Sequence, residues 1–150
     1  SMAGYEPSDS FNVKMMFHTI EHEFGHILHQ NILYPQDFKR ISVGMYTSNW
    51  NNVSDGAALA DGFVTAYAMS APDEDFVEMI AMMLVEGKQG FDNLLNSITD
   101  PGPGGTTPEQ ARARLRQKEA IVVKYFAEAW KIDFYSLQSR TRAAIDELTK

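Results

Sequence analysis

Every histidine of the chain lies in one run, His18-Thr19-Ile20-Glu21-His22-Glu23-Phe24-Gly25-His26-Ile27-Leu28-His29. At about 100° per residue, the four imidazoles fall within roughly an 80° arc of a helix. Phe17, Ile20, Phe24, Ile27 and Leu28 fall on the opposite side. This segregation predicts a helix that packs through its apolar face and keeps its imidazole face for chemistry. It also constrains the rest of the fold. Two imidazoles at i and i+4 can grip one metal ion, but a catalytic zinc site takes three protein ligands. A second element must bring the third ligand to this face.

Residues 22–26 spell H-E-x-x-H, the signature of a zinc-protease helix. His22 and His26 stack one above the other and supply two ligands. Glu23 points about 60° away from His26, placed to take a proton from a zinc-bound water whose pKa has fallen toward about 7. Gly25 inside the helix costs about 1 kcal/mol relative to alanine. The compensation expected is close approach of another backbone beside the metal. The competing reading is a surface helix that happens to carry histidines. For His18 and His29, a hydrogen-bonding role outweighs ligation. His29 lies about 10.5 Å along the axis from His22, which is awkward for a shared tetrahedral site. The metzincin extension is absent, because its glycine and third histidine fall at His29 and Ile32.

The remaining sequence reads as helices around this one. With 150 residues and 44% hydrophobic content, the chain is one domain with enough apolar material for a packed core. A net charge of −7 argues against nucleic acid or an anionic membrane surface as partner. Cysteine is absent, which excludes disulfides and thiolate zinc ligands. No segment is apolar for long enough to span a bilayer.

The first helix is expected over 12–30, after a polar lead-in at 1–11 with Asp9 or Ser10 as cap. Residues 31–56 read as a long loop with one short strand or helical turn. A helix capped by Ser54 or Asp55 is expected over 55–70. Pro72-Asp73-Glu74-Asp75 starts a buried, nearly all-apolar helix interrupted at Gly87 and Gly90, with a further helical stretch over 91–98. Residues 100–105 form a flexible loop. Thr107-Pro108-Glu109-Gln110 is a capping box, opening a helix to about 130. Asp133 caps a last helix over 134–148. The fold class is mainly α, about five helices with little or no sheet.

The third ligand must be Asp or Glu. Glu74 and Glu78 lie one turn apart on a helix that is otherwise overwhelmingly apolar, where an unpaired carboxylate is expensive. Glu74 as ligand, and Glu78 accepting the free N–H of a ligand imidazole, would satisfy both. The alternative makes Glu74 a favourable N-terminal acid and pairs Glu78 with a Lys or Arg. Tyr67 is read either as a stabiliser of a tetrahedral oxyanion or as a half-buried core residue.

His22-Glu23-Phe24-Gly25-His26 followed by Tyr67, Glu74 and Glu78 resembles the gluzincin arrangement of the anthrax lethal factor protease domain. The whole chain from about residue 12 more closely resembles the zinc-binding metallopeptidase lipoproteins found with outer-membrane nutrient-import systems in Bacteroidetes. That likeness rests on the His helix with Ile27-Leu28-His29-Gln30, on Gly62-Phe63-Val64 leading to Tyr67-Ala68, on Glu74-Asp75-Phe76-Val77-Glu78, and on Tyr125, Trp130 and Ile132-Asp133.

The resemblance implies a zincin-like catalytic domain with Zn2+ on His22, His26 and Glu74. It makes Glu23 the general base, Tyr67 the oxyanion donor and Glu78 the support of a ligand His. The implied substrate is a peptide or protein. The implied setting is extracytoplasmic, a periplasmic or outer-membrane lipoprotein associated with import components, although this chain shows no secretory signal pattern.

Zincins of this type carry a sheet before the His helix. With Ser1-Met2 reading as a tag scar, the expectation is a single domain over 1–150 that is the helical, N-terminally truncated portion of a longer protein. The rival function is a non-catalytic accessory zinc-binding lipoprotein, which the intact Glu23 disfavours. A weaker third reading is a purely structural zinc closed by His18 or His29.

Overall fold

The computed structural model describes residues 10–150, and among these every regular element is helical. Helices α1 (Ser10–Asn31), α2 (Phe38–Ile41), α3 (Asp55–Ala60), α4 (Pro72–Asn96), α5 (Pro108–Trp130) and α6 (Phe134–Leu148) follow in order, with 3₁₀ turns at Trp50–Asn52 and Tyr67–Ser70. This is the mainly α architecture expected. Four of the six helices are long, and the two short ones sit in or beside the connections. Of the lead-in expected over 1–11, residues 1–9, with Ser1-Met2 and the cap candidate Asp9, lie outside the described residues. Ser10 and Phe11 already belong to α1. Among the described residues, no helix is long and apolar enough to cross a membrane.

Helix α4 is the axis of the fold, packed against α1, α5, α6 and the Tyr67–Ser70 turn. Pro72 occupies its first turn, where a missing N–H costs nothing, and Asp73, Glu74 and Asp75 meet the positive end of the helix dipole. At Gly87 the backbone leaves helical geometry (φ 74°, ψ 175°) and kinks the rod. Side chains of α6 take over the nearby carbonyls. Gln138 donates to the Met83 carbonyl and Arg142 to the Val85 carbonyl, both at 2.7 Å. The kink therefore leaves neither carbonyl unpaired. The glycine interruption foreseen at Gly87 is real; at Gly90 the helix runs on.

The core runs through an aromatic chain. Tyr34 stacks on Phe76 at 4.2 Å, and Phe76 meets Phe38 and Tyr125 edge-on at 5.3 Å. Helices α5 and α6 start as their local chemistry dictates. The Thr107–Gln110 capping box is formed on both sides, and the Asp133 carboxylate accepts from the Tyr135 N–H. Between them Lys131 takes the left-handed conformation (φ 56°), and the N–H groups of Lys131 and Ile132 both return to the Phe126 carbonyl, the latter at 3.0 Å.

Three expectations are corrected, and one loop proves tied to the body of the fold. The apolar face of α1 is not its packing face. Ile20, Phe24 and Ile27 are exposed, while Gly25, Leu28 and His29 are buried and the imidazole side turns toward α4. Acidic side chains on α4 give the imidazoles partners that a purely apolar neighbour would lack.

The helix expected over 55–70 is two short pieces. Helix α3 stops at Ala60, and Gly62 reverses the chain at φ 90°. The break lets Phe63 and Val64 bury, and the Asp55 carboxylate pins the returning strand of chain by accepting from the Ala66 N–H at 2.8 Å.

The loop at 100–105, expected as flexible, is hydrogen-bonded to the body of the fold. The buried Asp61 carboxylate accepts from the Gly104 N–H at 2.9 Å, and a side chain at Gly102 would run into that same carboxylate. Finally, what approaches Gly25 is a side chain rather than a backbone. A Cβ there would meet Val77 Cγ1 at 2.8 Å and its Cβ at 3.0 Å. The missing side chain is what lets α1 and α4 pack this closely.

Candidate metal centre

Close packing of α1 on α4 places two rows of titratable side chains face to face. From α1, His22 and His26 project toward α4; from α4, Glu74 projects back. Glu74 Oε1 lies 2.8 Å from His26 Nε2 and 3.1 Å from His22 Nε2. One ligand atom from each of the three lies within 4.8 Å of the others, a spacing that one small cation can bridge. Two imidazole nitrogens and a carboxylate oxygen form a donor set suited to zinc. Among the described residues this is the one group that meets the spacing for a metal, and neither His18 nor His29 belongs to it. The closed four-ligand site is therefore not formed.

Each of these two imidazoles has its other nitrogen engaged. His22 Nδ1 lies 2.7 Å from Glu78 Oε2. The same oxygen lies 2.8 Å from His18 Nε2, and the Thr65 hydroxyl donates to Glu78 Oε1 at 2.7 Å. Burial alone would raise the Glu78 carboxyl. Hydrogen bonds from His18 and His22, the charge of His18 and the Thr65 hydroxyl outweigh it and hold the group at about 2. The hydrogen bond to Glu78 in turn raises His22 above its ordinary value, against the effect of burial, with Glu78, Glu74 and Glu23 adding their charge. His26 Nδ1 lies 2.8 Å from His29 Nε2. Burial lowers His29.

Glu23, from the next position on α1, is exposed, with its carboxylate 3.9 Å from His22 Nε2. Tyr67, on the 3₁₀ turn, holds its ring 5.7 Å from that of His22. Partial burial and the charge of Glu74 raise its phenol, so the hydroxyl keeps its proton. Trp50 packs edge-on against the Tyr67 ring at 4.9 Å, and the Thr47 N–H to Met69 carbonyl bond, 2.9 Å, ties the Trp50 loop to the Tyr67 turn.

The first turn of α4 is clamped from the core side. The Tyr34 hydroxyl donates to Asp73 Oδ1 at 2.5 Å. Asp75, fully buried, accepts from Tyr46 at 2.7 Å and meets the equally buried Lys118 ammonium at 2.8 Å. Burial pushes Asp75 up and Lys118 down, while their mutual contact works against both shifts. Lys118 also donates to the Gly62 carbonyl at 2.8 Å, so one ammonium fixes both α4 and the turn that leads to Thr65 and Tyr67.

The structure thus brings together all six residues singled out by sequence: His22, Glu23, His26, Tyr67, Glu74 and Glu78. Four others escaped that reading: Thr65, Trp50, and the specific contacts of His18 and His29. Thr65 and Trp50 carry no local signal, because each reaches the site through a turn whose path depends on Gly62 and Lys118. His18 and His29 share the helical arc, but the arc does not say which neighbour each one meets.

Residues 4–135 match the model of a family described as "putative zinc-binding metallo-peptidase". Among solved structures, a putative zinc-binding metallo-peptidase from Bacteroides caccae is 30% identical and superposes with a TM-score of 0.84, over 98% of this chain and 54% of that one. The chain spans about half the length of that relative. No curated protein matches the sequence.

Proposed function

The chain belongs to the family described above, and on that premise we propose that it hydrolyses peptide bonds at a single zinc held, in the gluzincin manner, by His22, His26 and Glu74. The observation that carries the reading is the convergence of three ligand atoms from two helices within 4.8 Å, with Glu23 open to solvent beside them. Bound zinc supplies Lewis acidity, which polarises a carbonyl and makes a water acidic near neutral pH.

The protein's own groups do the rest. Glu23 accepts a proton from the attacking water and returns it to the leaving amine. It is suited to this because it hangs from the ligand helix without being tied to a cation. The Tyr67 hydroxyl donates to the oxygen that gains negative charge, and Trp50 holds the ring in place. Glu78 orients His22, and Thr65 and His18 hold Glu78. The proposed setting is an extracytoplasmic lipoprotein beside outer-membrane import components, supported by the resemblance to that group and by the Bacteroides source of the solved relative.

Digestion of a peptide library by zinc-loaded wild type and Glu23→Gln tests the reading. Wild type should cleave, and the variant should keep zinc while losing about 10²–10⁴ in rate. If both bind zinc and neither cleaves, the accessory zinc-binding role replaces the enzymatic one. Cleavage by Glu23→Gln at the wild-type rate would remove Glu23 as the base.

A further inference from the structure

Building on the zinc centre proposed above, we propose that His29 is a positioning residue for that centre: a neutral acceptor whose Nε2 holds the Nδ1–H of His26 and so fixes which nitrogen of His26 faces the metal.

With a metal on His26 Nε2, each imidazole of the pair has one arrangement. His26 Nε2 is the nitrogen that meets Glu74, at 2.8 Å, and it is the nitrogen a metal would take. A neutral imidazole with one nitrogen on a metal carries its proton on the other. That proton points at His29 Nε2, 2.8 Å away. His29 must then offer a lone pair there and keep its own proton on Nδ1. It lies on the far side of the His26 ring from the metal face, which is why its three-residue spacing makes it a support and not a ligand.

The site around His29 is built to hold that ring. His29 is buried, with Tyr34 edge-on at 5.7 Å and Phe76 edge-on at 6.5 Å. Tyr34 is itself stacked on Phe76 and anchored to Asp73. The His26–His29 contact lies within one helix, at i and i+3. The two ligand imidazoles are therefore supported differently. His22 leans on the Glu78 carboxylate of α4, and His26 leans on a neutral ring of its own helix. A carboxylate in place of His29 would add another negative charge to a centre that already holds Glu74 and Glu78. A neutral acceptor orients His26 without adding that charge.

Two variants separate orientation from packing. His29→Phe fills the aromatic surround without an acceptor, and His29→Gln places an amide oxygen near the position of Nε2. Zinc affinity is read by chelator competition, and the thermal melting of the metal-free forms is recorded alongside. We expect His29→Phe to bind zinc about 10–100-fold more weakly and His29→Gln to recover most of that loss. Long-range ¹H–¹⁵N correlation on the zinc-loaded wild type should show His26 protonated at Nδ1 and His29 protonated at Nδ1 with a free Nε2.

Zinc affinity of His29→Phe within about threefold of wild type overturns the proposal. So does an equal loss in both variants, or His29 protonated at Nε2. If wild type takes up no zinc at all, the zinc centre itself fails and the positioning role fails with it. Zinc uptake by wild type with no effect of His29→Phe overturns the positioning role alone.

Discussion

Gly25→Ala tests the closeness of α1 and α4, on which the metal centre depends. Two effects oppose each other. In the interior of a helix, alanine is favoured over glycine by about 1 kcal/mol. The new methyl, however, would sit 2.8 Å from Val77 Cγ1, 3.0 Å from Val77 Cβ and 3.4 Å from Ile80 Cδ1. Val77 and Ile80 are fully buried, and Val77 is β-branched with its Cβ already in the clash, so a rotamer change cannot relieve it. The helices must move apart, at a cost of about 1–3 kcal/mol for an overpacked core.

The net effect is a loss of up to about 2 kcal/mol, lowering the melting temperature by roughly 4–8 °C at the upper end for a domain of this size. Glu74 lies one turn before Val77 on the same helix, so separation also lengthens its reach to His22 and His26, and zinc affinity falls with stability. Calorimetry and chelator competition on Gly25→Ala, Val77→Ala and the double variant form the assay. The double variant should be more stable than the sum of the singles by at least about 0.5 kcal/mol, since Val77→Ala removes the worse contact. A more stable Gly25→Ala with unchanged zinc affinity refutes the close-packing argument.

Three further outcomes follow from charge. Zinc takes neutral imidazoles, and Glu78 raises His22 above its ordinary value of 6.5, so the proton competes as pH falls through that raised value. Affinity should drop about tenfold per pH unit for each proton displaced, with zinc lost below about pH 6; equal affinity at pH 8 and pH 5 contradicts this. Glu78 itself, depressed from 4.5 to about 2, contributes stability that is present above 4.5 and lost as pH falls through 2, which acid denaturation of the metal-free protein would follow. Lys118→Met leaves the buried Asp75 carboxylate without its cation and should cost about 3–5 kcal/mol in chemical denaturation, partly recovered by adding Asp75→Asn. A loss below about 1 kcal/mol would mean the pair does not anchor α4.

Legibility in the sequence followed the range of the interactions. His22, Glu23 and His26 are set by helical spacing alone, and the Thr107 and Asp133 caps by contacts within three residues, so pattern sufficed for all of them. Glu74 and Glu78 were legible because carboxylates on an apolar helix need partners, and the partners proved to be imidazoles. The packing face of α1 was misread because amphipathicity assumes an apolar neighbour, whereas α4 offers Glu74 and Glu78. The break after Ala60 and the closure of the loop at Gly102 depend on Lys118 and Asp61, partners distant in sequence that no local pattern shows. His29 stood in the correct arc, but its pairing with His26 rather than with the metal is a matter of which ring edge faces which, information that spacing does not carry.

Zinc-edge X-ray absorption on the zinc-loaded protein tests the central claim most directly, because it counts imidazole ligands. Coordination by His22, His26 and Glu74 predicts two imidazoles with oxygen ligands completing the shell, and a marked loss of zinc in Glu74→Ala. Three or four imidazoles around the metal, or full zinc retention by Glu74→Ala, would contradict it.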